Sequence, residues 1–219
     1  MMQLQIALDR LPAAEAVRIA ADIAPFADVI EVGTSLIKAF GMPIVRRIAS
    51  VGDGTPVLAD LKTADDARTE FELAYDAGAR SATVLGLAAL PTVHTCVAVA
   101  AERDLEVVVD LMELTPDRSA VLSAELPHEA VLAAHVPKDA QNGGAQAADL
   151  VGSWARGRRL AVAGGLGLGD VPRLARLEEE LELEWLRIIV GSAVTKAPDV
   201  RSAAEQLAQA VGRTVEVTR

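Results

Sequence analysis

The chain has 219 residues, 51% of them hydrophobic, which is enough for one substantial buried core at a length where barrels commonly form a single domain. A formal net charge of −10 and a pI near 4.8 set the surface, on average, against nucleic-acid phosphates and anionic membranes, leaving room only for a local basic pocket. Cys96 is the single cysteine, so an internal disulfide is excluded, and the early charges Asp9 and Arg10 argue against a signal peptide; a cytoplasmic protein is expected.

Apolar β-branched runs alternate with stretches of helical period along the whole chain. A strand over 4–9 leads to a helix over 13–24. Strands over 29–32 and 57–61 follow, the latter running into a helix over 64–77. Residues 81–101 carry no Asp, Glu, Lys or Arg, a length that meets a crude membrane-helix filter. Gly86, Pro91, His94 and several threonines argue instead for a buried strand over 81–85 and a helix over 92–103. The fifth unit has a strand over 106–111 and a short, weakly periodic stretch over 116–125. Strands over 130–135, 159–163 and 187–190 complete the set, with helices over 146–155, 171–182 and 203–211. Eight strand-helix units with near-continuous apolar strands predict a parallel sheet closed into a (β/α)8 TIM barrel.

In that architecture chemistry collects at the C-terminal ends of the strands. Asp9, Glu31, Asp60 with Lys62, Gly86, Asp110, His135, Gly164-Gly165 and Gly191-Ser192 stand there. Period two along a strand sends Asp60 and Lys62 to one face and Leu61 to the other. Glu31 and Asp60, at adjacent strand ends, form an oxygen pair suited to Mg²⁺, against the alternative that each only caps a loop. Lys62 between Asp60 and Asp65 should stay protonated and serve as a cation or proton donor; the alternative is a structural ion pair, and for Asp65 a helix N-cap. His135 is the one histidine among these polar residues and is suited to moving a proton. Gly164-Gly165-Leu166-Gly167-Leu168-Gly169 does not have dinucleotide spacing and sits in the seventh unit, so a phosphate loop, paired with Gly191-Ser192, is the better reading.

Taken together, Ala7-Leu8-Asp9, Glu31-Val32-Gly33-Thr34, Asp60-Leu61-Lys62-Thr63-Ala64-Asp65, Val84-Leu85-Gly86, His135 with Asp139-Ala140-Gln141, Ala163-Gly164-Gly165 and Val190-Gly191 resemble the orotidine-monophosphate-decarboxylase superfamily. Within it they resemble the branch containing 3-hexulose-6-phosphate synthase and 3-keto-L-gulonate-6-phosphate decarboxylase. The resemblance spans nearly the whole chain, and its D-x-K-x-x-D element is highly specific. It implies a Mg²⁺-dependent lyase acting on a sugar phosphate through an enediolate, with active sites shared across a homodimer. By that analogy Glu31 and Asp60 contact Mg²⁺, Lys62 stabilises the developing oxyanion, and Asp65 enters the neighbouring subunit's site. Asp9 binds a substrate hydroxyl, His135 handles protons, and Gly165, Gly191 and Ser192 hold the phosphate.

Within the branch, Asp110, Ala163 and Ser192 match the synthases, where the decarboxylases carry Glu, Thr and Arg. Lys138 points the other way: decarboxylases carry Arg there, and synthases usually an uncharged residue. Asp66 departs from both patterns, which show a small residue. The resemblance thus favours a synthase joining formaldehyde to ribulose 5-phosphate, with the decarboxylase second and a non-catalytic sugar-phosphate-binding barrel third. Orotidine decarboxylase itself is disfavoured because its long phosphate-clamping loop with a terminal arginine motif is missing from the sequence.

Overall fold

A computed structural model describes residues 2–143 and 146–213. Eight parallel strands close in sequence order: β1 (Met2–Leu8), β2 (Val29–Val32), β3 (Val57–Thr63), β4 (Ser81–Leu85), β5 (Glu106–Asp110), β6 (Val131–His135), β7 (Arg159–Ala163) and β8 (Trp185–Val190). β8 pairs back onto β1, with Gln5 opposite Ile189, which leaves no sheet edge.

The helices around it are α1 (Ala13–Ile23), α2 (Thr34–Phe40), α3 (Met42–Val51), α4 (Ala67–Asp76), α5 (Leu90–Glu102), α6 (Pro116–Glu125), α7 (Val171–Glu180), α8 (Ser192–Thr195) and α9 (Val200–Ala210). Each long helix turns an apolar stripe to the outside of the sheet; α1 buries Ala16, Ile19, Ala20 and Ile23 at helical spacing. The weakly periodic fifth stretch is a helix because its N-terminus is well made: Thr115 accepts a hydrogen bond from the Arg118 N–H, and Pro116 opens the first turn. Residues 81–101 resolve into β4 and most of α5, and among the described residues no helix is long and apolar enough to cross a membrane.

The expected helix over 146–155 is a correction. Ala147–Leu150 and Ser153–Ala155 are separate 3₁₀ turns, divided at Gly152, whose backbone is extended; Ala145 lies outside the described residues. The helix after β3 also starts later than expected, after Asp66 rather than at residue 64. Asp66 occupies the left-handed region (φ 49°), a conformation Asp tolerates better than most residues, and its N–H donates to Asp65 Oδ1 at 2.8 Å. Asp65 is therefore not the N-cap, and the unusual Asp66 has a backbone reason to be there.

Alternation along the strands sorts the barrel interior into layers. Val29, Leu58, Val108, Val131, Ala133 and Ala161 form an apolar plug, with Trp185 and Ile189 packed against it. Two residues further along five of these strands, at the same parity, stand Glu31, Asp60, Asp110, His135 and Gly191. At the opposite end Arg187 is buried and pairs with both carboxylate oxygens of Glu106 at 2.7 and 3.0 Å, with Gln3 at 2.9 Å. A closed floor and a dry plug thus leave only the C-terminal end open for chemistry.

Candidate active site

That end holds a cavity of about 710 Å³. Asp9, Glu31, Asp60, Lys62, Asp110, His135, Lys138, Gly165, Gly191 and Ser192 all line it. Gly86 at the end of β4 does not, and neither does Asp65, which is exposed and lies outside the cavity of its own chain.

The centre is a buried charge network. Lys62 Nζ donates to Asp60 Oδ1 at 3.2 Å and to Asp110 Oδ2 at 2.5 Å. His135 Nδ1 meets the same Asp110 oxygen at 2.9 Å, and the Met112 N–H donates to Asp110 Oδ1 at 2.9 Å. Asp60 is completed by Thr83 Oγ1 at 2.8 Å and Thr34 Oγ1 at 2.6 Å. Burial alone would raise the Asp110 carboxyl and lower the Lys62 ammonium. The His135 bond and Lys62 charge outweigh it for Asp110, held at about 2, while Asp60 and Asp110 outweigh it for Lys62, whose pKa lies above the ordinary lysine value. Both are charged at neutral pH. Because Asp110 is an acceptor only, His135 donates through Nδ1, and a neutral ring presents its lone pair at Nε2.

Local backbone geometry aims Lys62. The β3–β4 ladder slips between Ala59 and Thr63, and Lys62 sits at φ 50°, a left-handed conformation costing about 1 kcal/mol or more for a residue with a side chain. Its N–H donates to Thr83 Oγ1 at 2.8 Å, so the same threonine fixes the Lys62 backbone and the Asp60 carboxylate. Leu61 faces the helices, as alternation requires.

Glu31 is buried beside Asp60, and Gln5 Nε2 donates to its Oε2 at 2.5 Å. Burial, then the Asp60 charge, push the Glu31 carboxyl up to about 8. Asp9 accepts from the Ser35 N–H at 3.2 Å and from the Ser35 hydroxyl. Gly33 makes that approach feasible, since a Cβ there would sit 2.5 Å from Asp9 Cγ. Across the mouth, Gly164 has φ 128°, and a Cβ would meet Val136 Cβ at 2.7 Å, so the β7 loop folds tightly down beside the cavity.

Sequence reasoning missed Gln5, Thr34, Ser35 and Thr83. Gln5 and Thr83 carried a signal, as polar residues at inward parity within apolar strands. Thr34 and Ser35 lie beyond β2, where strand period no longer predicts direction.

Residues 2–207 match a single family, described as orotidine 5'-phosphate decarboxylase / HUMPS family. The chain belongs to this family. The chain is similar to the 3-hexulose-6-phosphate synthase of Mycobacterium gastri, 30% identical over 214 residues that cover 96% of this chain and 100% of that protein. A solved 3-hexulose-6-phosphate synthase from Salmonella typhimurium superposes with a TM-score of 0.86 at 32% identity, covering 96% of this chain and 98% of that one. A 3-keto-L-gulonate-6-phosphate decarboxylase from Vibrio cholerae O1 biovar El Tor follows at 0.78 and 25%, covering 95% and 96% respectively. Family membership makes the protein an enzyme, a carbon–carbon lyase, and places it in the branch its motifs resemble.

Proposed function

We propose that the protein joins formaldehyde to D-ribulose 5-phosphate, giving 3-hexulose 6-phosphate through an enediolate, as a Mg²⁺-dependent cytosolic homodimer. The observation that carries this reading is the network of Lys62, Asp110 and His135 around one carboxylate oxygen. A neutral His135 can take a proton from the sugar carbon through Nε2, while the Lys62 ammonium, already charged, meets the negative oxygen that develops beside it. Asp110 holds both groups without competing for their protons. Asp9, oriented by Ser35, accepts a hydrogen bond from a sugar hydroxyl.

Glu31 and Asp60 fit Mg²⁺ in donor chemistry. They are two neighbouring carboxylates, and no set of three or more metal-binding side chains stands together among the described residues, so the ion would keep waters and exchange them for substrate oxygens. When bound, Mg²⁺ supplies a positive charge that lowers the cost of the enediolate oxygens. Glu31 fits this role electrostatically as well, because burial and the neighbouring Asp60 charge raise its carboxyl, and a cation held between the two carboxylates would relieve that repulsion.

A pH dependence follows. With a pKa raised from 4.5 to about 8, Glu31 contributes stability to the metal-free fold that is present below 4.5 and lost as the pH rises through 8. Cation binding needs the carboxylate. Mg²⁺ affinity should therefore climb between pH 5 and 8 on the order of tenfold per unit and then level, with about one proton released per ion at pH 6 to 7. Calorimetry in buffers of different ionisation enthalpy measures that proton; none released would remove Glu31 from the metal site.

The reaction is tested by incubating the protein with Mg²⁺, ribulose 5-phosphate and ¹³C-formaldehyde and following the new carbon–carbon bond by NMR. A labelled hexulose phosphate is expected. Lys138 lining the cavity favours a second reading, decarboxylation of 3-keto-L-gulonate 6-phosphate, which takes over if folded, Mg²⁺-loaded protein gives no labelled product.

A further inference from the structure

The chain contains four lysines against seventeen arginines, and all four lysines, Lys38, Lys62, Lys138 and Lys196, line the cavity. Arginine builds the surface ion pairs elsewhere, such as Arg18–Asp22, Arg68–Glu102 and Arg103–Asp76. Among the described residues only one arginine, Arg10, lines the cavity. Lys62 is engaged by Asp60 and Asp110, but Lys38, Lys138, Lys196 and Arg10 are exposed and have no carboxylate within ion-pair distance among the described residues. The one side-chain bond in this set runs from Lys138 Nζ to Gln141 Oε1 at 3.1 Å.

The order of strands makes these residues neighbours around the rim. Lys138 follows β6, Gly165 follows β7, Ser192 and Lys196 follow β8, Arg10 follows β1, and Lys38 lies on α2 after β2. Of the carboxylates lining the cavity, Asp60 and Asp110 stand at β3 and β5 on the other side, while Asp9, Glu31 and Asp139 share the sector of the cations without lying within ion-pair distance of them. Ser192, Thr195 and Lys196 all line the cavity, so the segment after β8 turns one face inward, with Ser192 and Lys196 four residues apart on it.

We propose that this arc recruits and holds the dianionic phosphate end of the substrate, with Lys196 making the direct contact beside Ser192 and with Lys38 and Arg10 acting at longer range. The inference rests on the sugar-phosphate reading above. A dianion approaching a protein of net charge −10 is repelled on average, and exposed cations free of ion pairs on this side of the mouth weaken that repulsion locally. Lysine suits the task because its ammonium is a compact point charge that binds phosphate without needing a fixed fork. Lys38, on the far side of Arg10 from Lys196, acts on encounter rather than on the bound ion, so its influence is screened by salt.

The test uses inorganic phosphate as the probe, titrated calorimetrically into the metal-loaded protein, alongside steady-state kinetics. Lys196→Met should weaken phosphate binding about tenfold and raise KM by a similar factor, with a much smaller change in kcat, and Lys196→Arg should recover most of the loss. Lys38→Met should raise KM at low ionic strength and lose its effect at high salt. Arg47→Met makes the same change in net charge on the exposed side of α3 and should alter neither quantity. Equal behaviour of Lys196→Met and Arg47→Met would overturn the proposal. So would a Lys196→Met defect confined to kcat. Phosphate binding that weakens in Lys196→Met while no formaldehyde adduct forms would uphold the arc and remove the aldol reading.

Discussion

Lys62→Ala should lower kcat/KM by at least about a thousandfold while leaving a folded barrel, because Lys62 supplies the ammonium in contact with two of the site's buried carboxylates, Asp60 and Asp110. Its loss removes the positive charge where negative charge develops, an interaction made more strongly in the transition state than with bound substrate, so the defect falls on kcat. The fold is weakened too, since Asp60 and Asp110 are buried and lose their shared counter-ion, at about 2–4 kcal/mol, less than the stability typical of a domain. The sign with pH is defined. Asp110, depressed from 3.8 to about 2, contributes stability that is present above 3.8 and lost as the pH falls through 2. Without Lys62 its carboxyl rises, so the variant's deficit relative to wild type should be largest near neutrality and shrink as the pH falls through 4. Urea unfolding at pH 7 and pH 4 measures this, with circular dichroism to confirm the barrel. Retained turnover would end the oxyanion role. Lys62→Arg should not rescue it, because a planar guanidinium cannot occupy the point that sets 2.5 Å to Asp110 from a left-handed backbone.

The barrel is legible in the sequence because its strands are buried on both faces and read as apolar β-branched runs, each with an Asp, Glu, His or Gly at its C-terminal end. Period two along β3 is enough to put Asp60 and Lys62 together. The register slip that sets Lys62 at φ 50° is not legible, since nothing in Leu61-Lys62-Thr63 marks a bulge. Residues 146–155 mislead because Ala147, Ala148 and Ala155 mimic a helical stripe, whereas the chain turns at Gly152 to seat Trp154 against the core. Lys38 and Lys196 carry no sequence signal for a related reason: they lie on helices and turns beyond the strands, where direction depends on how each βα connection folds back over the mouth. Asp65 is singled out by the D-x-K-x-x-D element, yet its position explains nothing within one chain.

That position leads to the second large effect. Asp65 is exposed, is absent from its own cavity, and uses Oδ1 to accept the Asp66 N–H in the turn that starts α4. If it acts in catalysis, it acts in the cavity of another copy, and Leu73 on α4 and Leu87 before α5 are exposed apolar side chains that such a copy could cover. Asp60→Asn and Asp65→Asn should each reduce turnover by a hundredfold or more on the order of single catalytic groups. Mixing the two chains has an arithmetic of its own. In a mixed dimer with two-fold shared sites, one site carries both substitutions and the other carries neither. Half of the dimers in a random equimolar mixture are mixed and half of their sites are intact, so activity should return to about a quarter of wild type from two nearly inactive parents. Tagged chains and two-step affinity purification isolate the mixed species, for which about half of wild-type activity is expected. Verified mixed dimers with no recovery would confine Asp65 to the local turn it forms with Asp66 and leave each cavity to work with the residues of its own chain.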